Sequence, residues 1–513
     1  MYDIDKYDIV LVNVWIEPVN VNPIYHFIRQ EISHSTRTLA EQRLREARPG
    51  INILSQNDMD ILRYQNLLPY SPGLLAIGAA IEQDGGSVKC FSLDLMKKKY
   101  DEATWLSESV SSICSMTKYA IGISCVTTEI NRAIVLAREI KKNNPLLKVI
   151  LGGIHPSYFS LDIISENAVD FIVTGEGEET IVDLLRAIKN GYGFESITGL
   201  TYKHNGKFEQ NVQRPLIDLR KAPIPSYHLL DDDDAKQLLL TPTFSRGCSF
   251  TCEYCVESAF WKQTVRHKDP IRFADELQLL SKQYGRRFIH IADSTFGLDK
   301  EALSTLLKEI ERRKIDSLYS INIRPDVFDY LGEAIVERLI NNNFVEFFMG
   351  VETSNTNIIN DLKRKQSHEI FISTLIKLKQ MGAPLVKLYL MVGVPGETHI
   401  SMQNTILMIR ELLEQGLIFY ATSKFFVPSP NSVLFNKLGD NIYKEWSKYE
   451  RYNFPPIYDH NTLSAIELEN YHIMLQAIQL SFYLSLLGDS EKSYHKERLD
   501  RLVEESYTKG VYL

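Results

Sequence analysis

The chain is short of cysteine, has no long apolar run and carries no excess of positive charge. Six cysteines in 513 residues are too few for a disulfide scaffold. No stretch reaches the roughly 18 apolar residues that a membrane span needs. The most apolar late segment, Tyr471–Leu487, is interrupted by Gln476, Gln479 and Ser481 and reads as an amphipathic core helix. The net charge of -8 and pI near 5.9 argue against a general nucleic-acid or membrane-surface binder, which needs a basic face. No phosphate loop, basic groove, peptide-docking motif or solenoid repeat is evident. The N-terminus starts with charges and runs straight into a strand pattern, without the look of a signal peptide. The expectation is a cytoplasmic globular protein of two to four domains, at roughly 100–200 residues per domain.

What is present is strand–helix alternation. Asp8–Trp15, Val88–Leu93, Tyr119–Cys125, Lys148–Leu151 and Val169–Val173 read as buried strands. Pro72–Glu82, Glu129–Lys142 and Thr180–Lys189 read as the helices between them. This predicts an α/β fold whose first domain, residues 1–190, is a doubly wound, Rossmann-like sheet. A long excursion, residues 16–71, interrupts it. That segment reads as a lid, a contact surface or a plain surface loop, with Thr36–Ala47 helical. Residues 191–237 read as a linker with short strands and several prolines, and its acidic run Asp231–Asp234 as a solvated turn. From 238 a second alternation begins, with strands at Leu239–Ser245, Phe288–Ala292, Ser320–Ile323, Glu346–Val351, Val386–Val392 and Phe419–Phe426. Six repeats predict a partial (β/α)6 barrel over 238–430. A mostly helical region, 431–513, follows. Its Tyr443, Tyr449, Tyr452 and Tyr458 either close over a pocket or simply pack.

Three cysteines (Cys90, Cys114, Cys125) lie scattered in apolar surroundings and read as inert buried thiols. The other three crowd together as Cys248-x3-Cys252-x2-Cys255, on the loop that follows a strand. Barrel active sites are built on such loops. Thiolates are the normal ligands of iron–sulfur clusters, and three thiolates leave one iron of a 4Fe–4S cubane open. Zinc is the competing reading, but structural zinc takes four ligands. No fourth cysteine is nearby, and His267 is the nearest downstream histidine.

The motif, with Tyr254 before the last cysteine, resembles the signature of the radical S-adenosylmethionine (radical SAM) superfamily. The resemblance implies that the open iron is chelated by the methionine end of S-adenosylmethionine. Reductive cleavage of that molecule then starts radical chemistry on a substrate carbon. Downstream stretches strengthen the likeness over 238–430. His290–Phe296 carries Asp293 at a strand end, and Asn322–Asp326 carries Arg324. Gly350–Ser354 carries Glu352, and Gly393–Thr398 carries Gly393 and Pro395. In this family these positions, with Tyr254, imply contacts to S-adenosylmethionine.

The first domain resembles the cobalamin-binding domain of cobalamin-dependent radical SAM enzymes. The matching stretches are Pro72–Leu75, Ser124–Thr127, Gly152–Pro156 and Gly175–Glu178. Ser124, Thr127, Gly152, Gly153, His155, Gly175, Glu176 and Gly177 are the implied cobalamin contacts. The cobalt-ligating D-x-H-x-x-G motif is absent. His155 lies in another loop beside a proline and reads as a tail or packing contact rather than a ligand. The resemblance implies a C-methyltransferase using cluster, S-adenosylmethionine and cobalamin on a small-molecule or peptide intermediate. A reductase, ferredoxin or flavodoxin would donate electrons, and neither nucleic acid nor membrane is an expected partner. Ring contraction, cyclisation, C–S bond formation, transfer of another S-adenosylmethionine fragment and non-catalytic cobalamin sensing are the alternatives.

Overall fold

Four consecutive residues, Ile9 to Val12, are at most 2% exposed, so the first strand must be covered on both faces. The computed structural model shows how. It describes residues 6–15, 23–47, 68–439, 442, 446–449, 458, 460–487, 493 and 497. Strands β1 (Tyr7–Asn13), β2 (Val88–Ser92), β3 (Thr117–Ser124), β4 (Lys148–Gly152) and β5 (Phe171–Val173) are parallel. They are extended by β6 (Leu200–His204) and β7 (Lys207–Gln210), both antiparallel, in the order β2-β1-β3-β4-β5-β6-β7. The last two come from the stretch read as a linker. Alternation along each strand divides the core. Leu11 and Ile150 face helices Pro72–Gln83 and Glu178–Asn190, while Val10, Val12, Ile121 and Leu151 face Trp105–Met116 and Ile130–Asn143. Cys90, Cys114 and Cys125 are buried in these layers, and burial pushes the Cys114 thiol up to about 11.

The second sheet is parallel and five-stranded: β8 (Phe288–Ile291), β9 (Leu318–Asn322), β10 (Phe344–Glu352), β11 (Leu385–Val392) and β12 (Tyr420–Phe425). The sequence predicts six strands. The first, Leu239–Ser245, does not form a full ladder. Pro242 has no N–H to give and only accepts, from Ala292 N at 2.9 Å. Leu238–Leu239 pairs instead with Leu68–Pro69, and Ser245–Arg246 with Arg266–His267. Beyond the barrel, helix Ala465–Leu486 packs on β12. Its buried Gln479 bridges the amide and carbonyl of Ala421, at 2.7 and 2.8 Å. Among the described residues no helix is long and apolar enough to cross a membrane.

The interrupting segment holds one described element, helix Pro23–Ala47; residues 16–22 and 48–67 lie outside the description. Its Ala40 and Leu44 pack against Phe288, Leu318, Val345, Leu385 and Phe419. Those five residues lie at, next to or just ahead of the N-terminal ends of the five parallel strands. The helix therefore closes the barrel floor, at the end opposite the cysteine loop. Tyr449 and Tyr458 are buried against Tyr254, Met391 and Val394, so they pack beside the cysteine loop. Tyr443 and Tyr452 lie outside the described residues.

Candidate active site

The cysteine loop is set by its glycine and its neighbours. Gly247 has φ +99°, and a Cβ there would meet Thr264 O at 1.9 Å, so only glycine fits. Asp293 receives Phe244 N at 2.7 Å, Ser245 N at 2.9 Å and Ser245 Oγ at 2.5 Å. Burial pushes its carboxyl up to about 6 despite those donors. Asp293 thus clamps the start of the loop. Glu253, buried between Lys363 (2.9 Å) and Lys437 (2.5 Å), clamps its middle.

Cys252 is 8% exposed, and Cys248 and Cys255 are half-buried. Thr295 Oγ1 lies 3.8 Å from Cys248 Sγ, and Arg324 Nη1 donates to Cys252 Sγ at 3.7 Å. The Arg324 guanidinium also grips Asp326, donates to Arg364 O and stacks on Phe250. Burial pushes the Cys255 thiol up to about 12, and Cys252 and Cys248 add to the rise. Burial thus favours the neutral thiol at Cys255 until a metal takes the proton's place. Among the described residues no three His, Cys, Asp or Glu side chains converge as on one metal ion. A cubane asks for another arrangement: three thiolates on one loop, each reaching a different iron. The Cys248–Cys255 loop has that donor set.

Half-buried Tyr254 and buried Glu352 and Arg364 form one group. Tyr254 Oη donates to Glu352 Oε1 at 3.1 Å and accepts from Arg364 Nη1 at 2.5 Å, and Arg364 pairs with Glu352 at 2.9 Å. Glu352 sits past a register shift at the end of β10, with φ +64°. A left-handed glutamate costs about 1–3 kcal/mol, and such strain gathers at functional sites. Arg364 carries no motif, so nothing in the sequence marked it. Gly393 has φ +81°, and its N–H is already given to Glu397 Oε2 at 2.8 Å. Its carbonyl accepts Tyr458 Oη, and His460 Nε2 is 3.0 Å from Val394 O. This turn, with half-buried Pro395 in it, is braced from within by the C-terminal region.

Between the two sheets lies a cavity of about 370 Å3. Ser124, Gly152, Gly153, Gly175, Glu176 and Gly177 line it from the first domain. Thr243, Ser245, Arg246, Glu257, Trp261 and Ser294 line it from the second. Gly153 has φ +110°, and a Cβ there would strike Cys125 O at 2.4 Å. Two buried carboxylates cross the seam. Arg246 binds Glu176 at 2.8 Å and Glu178 at 2.6 Å, and Arg266 binds Glu176 at 2.8 Å. Burial opposes the charge on Arg246, but Glu178 and Glu176 outweigh it. Glu176 is therefore a seam residue joined to the cysteine loop two positions before Cys248. The sequence held no signal for these pairings.

Thr127 and His155 do not line the cavity. His155 Nδ1 is 3.1 Å from Thr127 Oγ1, and the ring lies 4.8 Å from both Phe159 and Trp446. The short helix Ile154–Tyr158, which carries His155 itself, turns the imidazole into this aromatic box. Burial lowers its pKa to about 4. In the unfolded chain it takes a proton near pH 6.5, so the stability it contributes is complete above 6.5 and is lost as pH falls towards 4. At pH 5 the loss is about 2 kcal/mol. His155→Phe is expected to shrink the drop in melting temperature between pH 7.5 and pH 5.0. An unchanged drop would place the acid sensitivity elsewhere.

The cavity fits cobalamin in chemistry. Its rim is glycine, its interior wall is apolar (Leu11, Leu74, Ile150, Val173), and it lies outside the C-terminal strand ends, where such sheets bind ligands. The family model of the radical SAM superfamily matches residues 243–409, and that of the B12 binding domain matches residues 67–185. The chain is a radical SAM enzyme with a B12-binding domain. Its cofactors are therefore a 4Fe–4S cluster, S-adenosylmethionine and cobalamin.

Curated relatives agree. The radical SAM chain is 27% identical over 375 residues to the uncharacterized methyltransferase PH0819 of Pyrococcus horikoshii, covering 71% of this chain and 78% of that one. It is 25% identical over 396 residues to the anaerobic magnesium-protoporphyrin IX monomethyl ester cyclase of Rubrivivax gelatinosus, covering 75% and 69%. Its fold matches the radical S-adenosylmethionine methyltransferase TsrM of Kitasatospora setae, solved with cobalamin and a [4Fe-4S] cluster. There the TM-score is 0.63 and the identity 14%, over 95% of this chain and 90% of that one. It also matches the cobalamin-dependent S-adenosylmethionine radical enzyme OxsB, with TM-score 0.67 and identity 12%, over 98% and 72%. At such identities the likeness concerns the fold alone.

Proposed function

We propose that the enzyme is a cobalamin-dependent methyltransferase acting on an unactivated carbon of a small-molecule or peptide intermediate. One observation carries the reading: a single cavity has walls from both the B12-binding loops and the loop that bears Cys248, Cys252 and Cys255. When bound, the three cofactors would supply reductive cleavage of S-adenosylmethionine and a methyl donor. The chain's part is to hold and shield. Cys248, Cys252 and Cys255 would hold the cluster, beside Arg324. The Tyr254–Arg364–Glu352 group, next to them, would fix the S-adenosylmethionine side. Ser124, Gly152, Gly153, Gly175 and Gly177 would admit cobalamin to the backbone. The Glu176–Arg246 seam keeps the two halves in register and sheltered from water. A reductase, ferredoxin or flavodoxin would supply the electron.

The methyltransferase relative supports this reading. The cyclase relative favours a second, in which the same radical step drives cyclisation without methyl transfer. The test is anaerobic reconstitution with hydroxocobalamin, then incubation with S-adenosylmethionine carrying a deuterated methyl group and candidate substrates. Near-stoichiometric cobalt and a labelled methyl in the product are expected. Cleavage of S-adenosylmethionine with product formed but never methylated would overturn methylation and favour cyclisation.

A further inference from the structure

We propose that Glu257 anchors a cationic, hydrogen-bond-donating group of the substrate, an ammonium in the simplest case. The proposal rests on reading the interdomain cavity as the substrate chamber. Six charged side chains line that cavity: Glu176, Glu178, Arg246, Glu257, Lys268 and Glu276. Five are already balanced. Arg246 holds Glu176 and Glu178, Arg266 adds a second cation to Glu176, and Lys268 holds Glu276 at 2.6 Å. Among the described residues Glu257 makes no ion pair.

Glu257 is nevertheless aimed. Its Oε2 accepts Trp261 Nε1 at 2.8 Å and Ser294 Oγ at 2.7 Å, both neutral donors on the cavity wall. The structure gives its Oε1 no hydrogen bond among the described residues. A half-buried carboxylate with one oxygen pinned and the other open costs free energy until a partner of opposite charge arrives. Its neighbours suit such a partner. Phe260 and Trp261 line the same wall, their rings 4.7 Å apart and edge to face. Aromatic faces favour a cation over a neutral group of equal size. The position fits the reaction too, because Glu257 lies two residues after Cys255 and so stands between the cluster loop and the cavity.

A corrin side-chain amide is the other N–H donor within the same chemistry, and the test separates the two sources. Enzyme reconstituted with cluster, cobalamin and S-adenosylmethionine is titrated calorimetrically with 3-phenylpropylamine and with 3-phenylpropanol. An ion pair in a sheltered site predicts about tenfold or greater preference for the amine. Glu257→Gln keeps the shape and a hydrogen-bond acceptor but removes the charge. It is expected to bring the two affinities within about threefold, with cobalt and iron per chain unchanged. No amine preference in the parent enzyme, including no detectable amine binding, overturns the proposal. So does a preference that survives in the variant. Loss of cobalt in Glu257→Gln without an amine preference overturns it as well and assigns the carboxylate to the corrin. The measurement needs no turnover, so a failed methyl-transfer assay and a failed amine preference remain separate results.

Discussion

Replacing Cys252 by alanine is expected to abolish cleavage of S-adenosylmethionine while leaving the chain folded. The Cys252 side chain is buried, and its sulfur accepts a 3.7 Å hydrogen bond from Arg324. Arg324 keeps Asp326 and the Arg364 carbonyl, so no buried charge is stranded. The cost to stability should stay near the common range of about 0.5–3 kcal/mol for a point change. The cost to chemistry is of another order. With two thiolates left, two irons lack a protein ligand and the cube is no longer held as an electron donor. Iron and sulfide counts should fall, deoxyadenosine should drop below detection, and the circular dichroism spectrum should be unchanged. Cleavage persisting near the parent rate would remove the cluster assignment.

Filling the cavity at Gly152 should separate cobalamin from the cluster. Gly152 and Ile150 lie two apart on β4 and both line the cavity, so a side chain at 152 points into it. The nearest atom to a Cβ there is 3.7 Å away, which leaves room for folding. Gly153 offers no such test, since a Cβ would meet backbone at 2.4 Å in a left-handed turn. Gly152→Leu places a branched side chain where a large planar ligand must lie. Cobalamin retained after desalting is expected to fall by about 100-fold or more, the scale of a few kcal/mol of steric conflict. Iron content should be unaffected, because the cysteine loop lies in the other domain. Cobalt retained at parental levels would move the cofactor out of this cavity.

The parts that were legible in the sequence share a cause. Parallel strands buried on both faces write themselves as unbroken runs of Val, Ile and Leu, and three cysteines in eight residues have few other uses. The glycines that rim the cavity were legible for the same local reason. What stayed hidden depends on partners far apart in the chain. Nothing near Glu176 announces Arg246, 70 residues on, and nothing near Tyr254 announces Arg364. His155 looked like a cofactor contact because its loop is at the right strand end. Its aromatic box needs Trp446, nearly 300 residues away. The first barrel strand failed for a local reason that was visible, since Pro242 has no N–H to pair.

Helix Pro23–Ala47, pressed on the strand beginnings, has a consequence for traffic. Among the described residues the floor of the barrel is covered, and its other end faces the cavity shared with the first domain. A substrate approaching from that end would pass along the seam where the B12-binding loops stand. Cobalamin, once seated, would form part of the door frame.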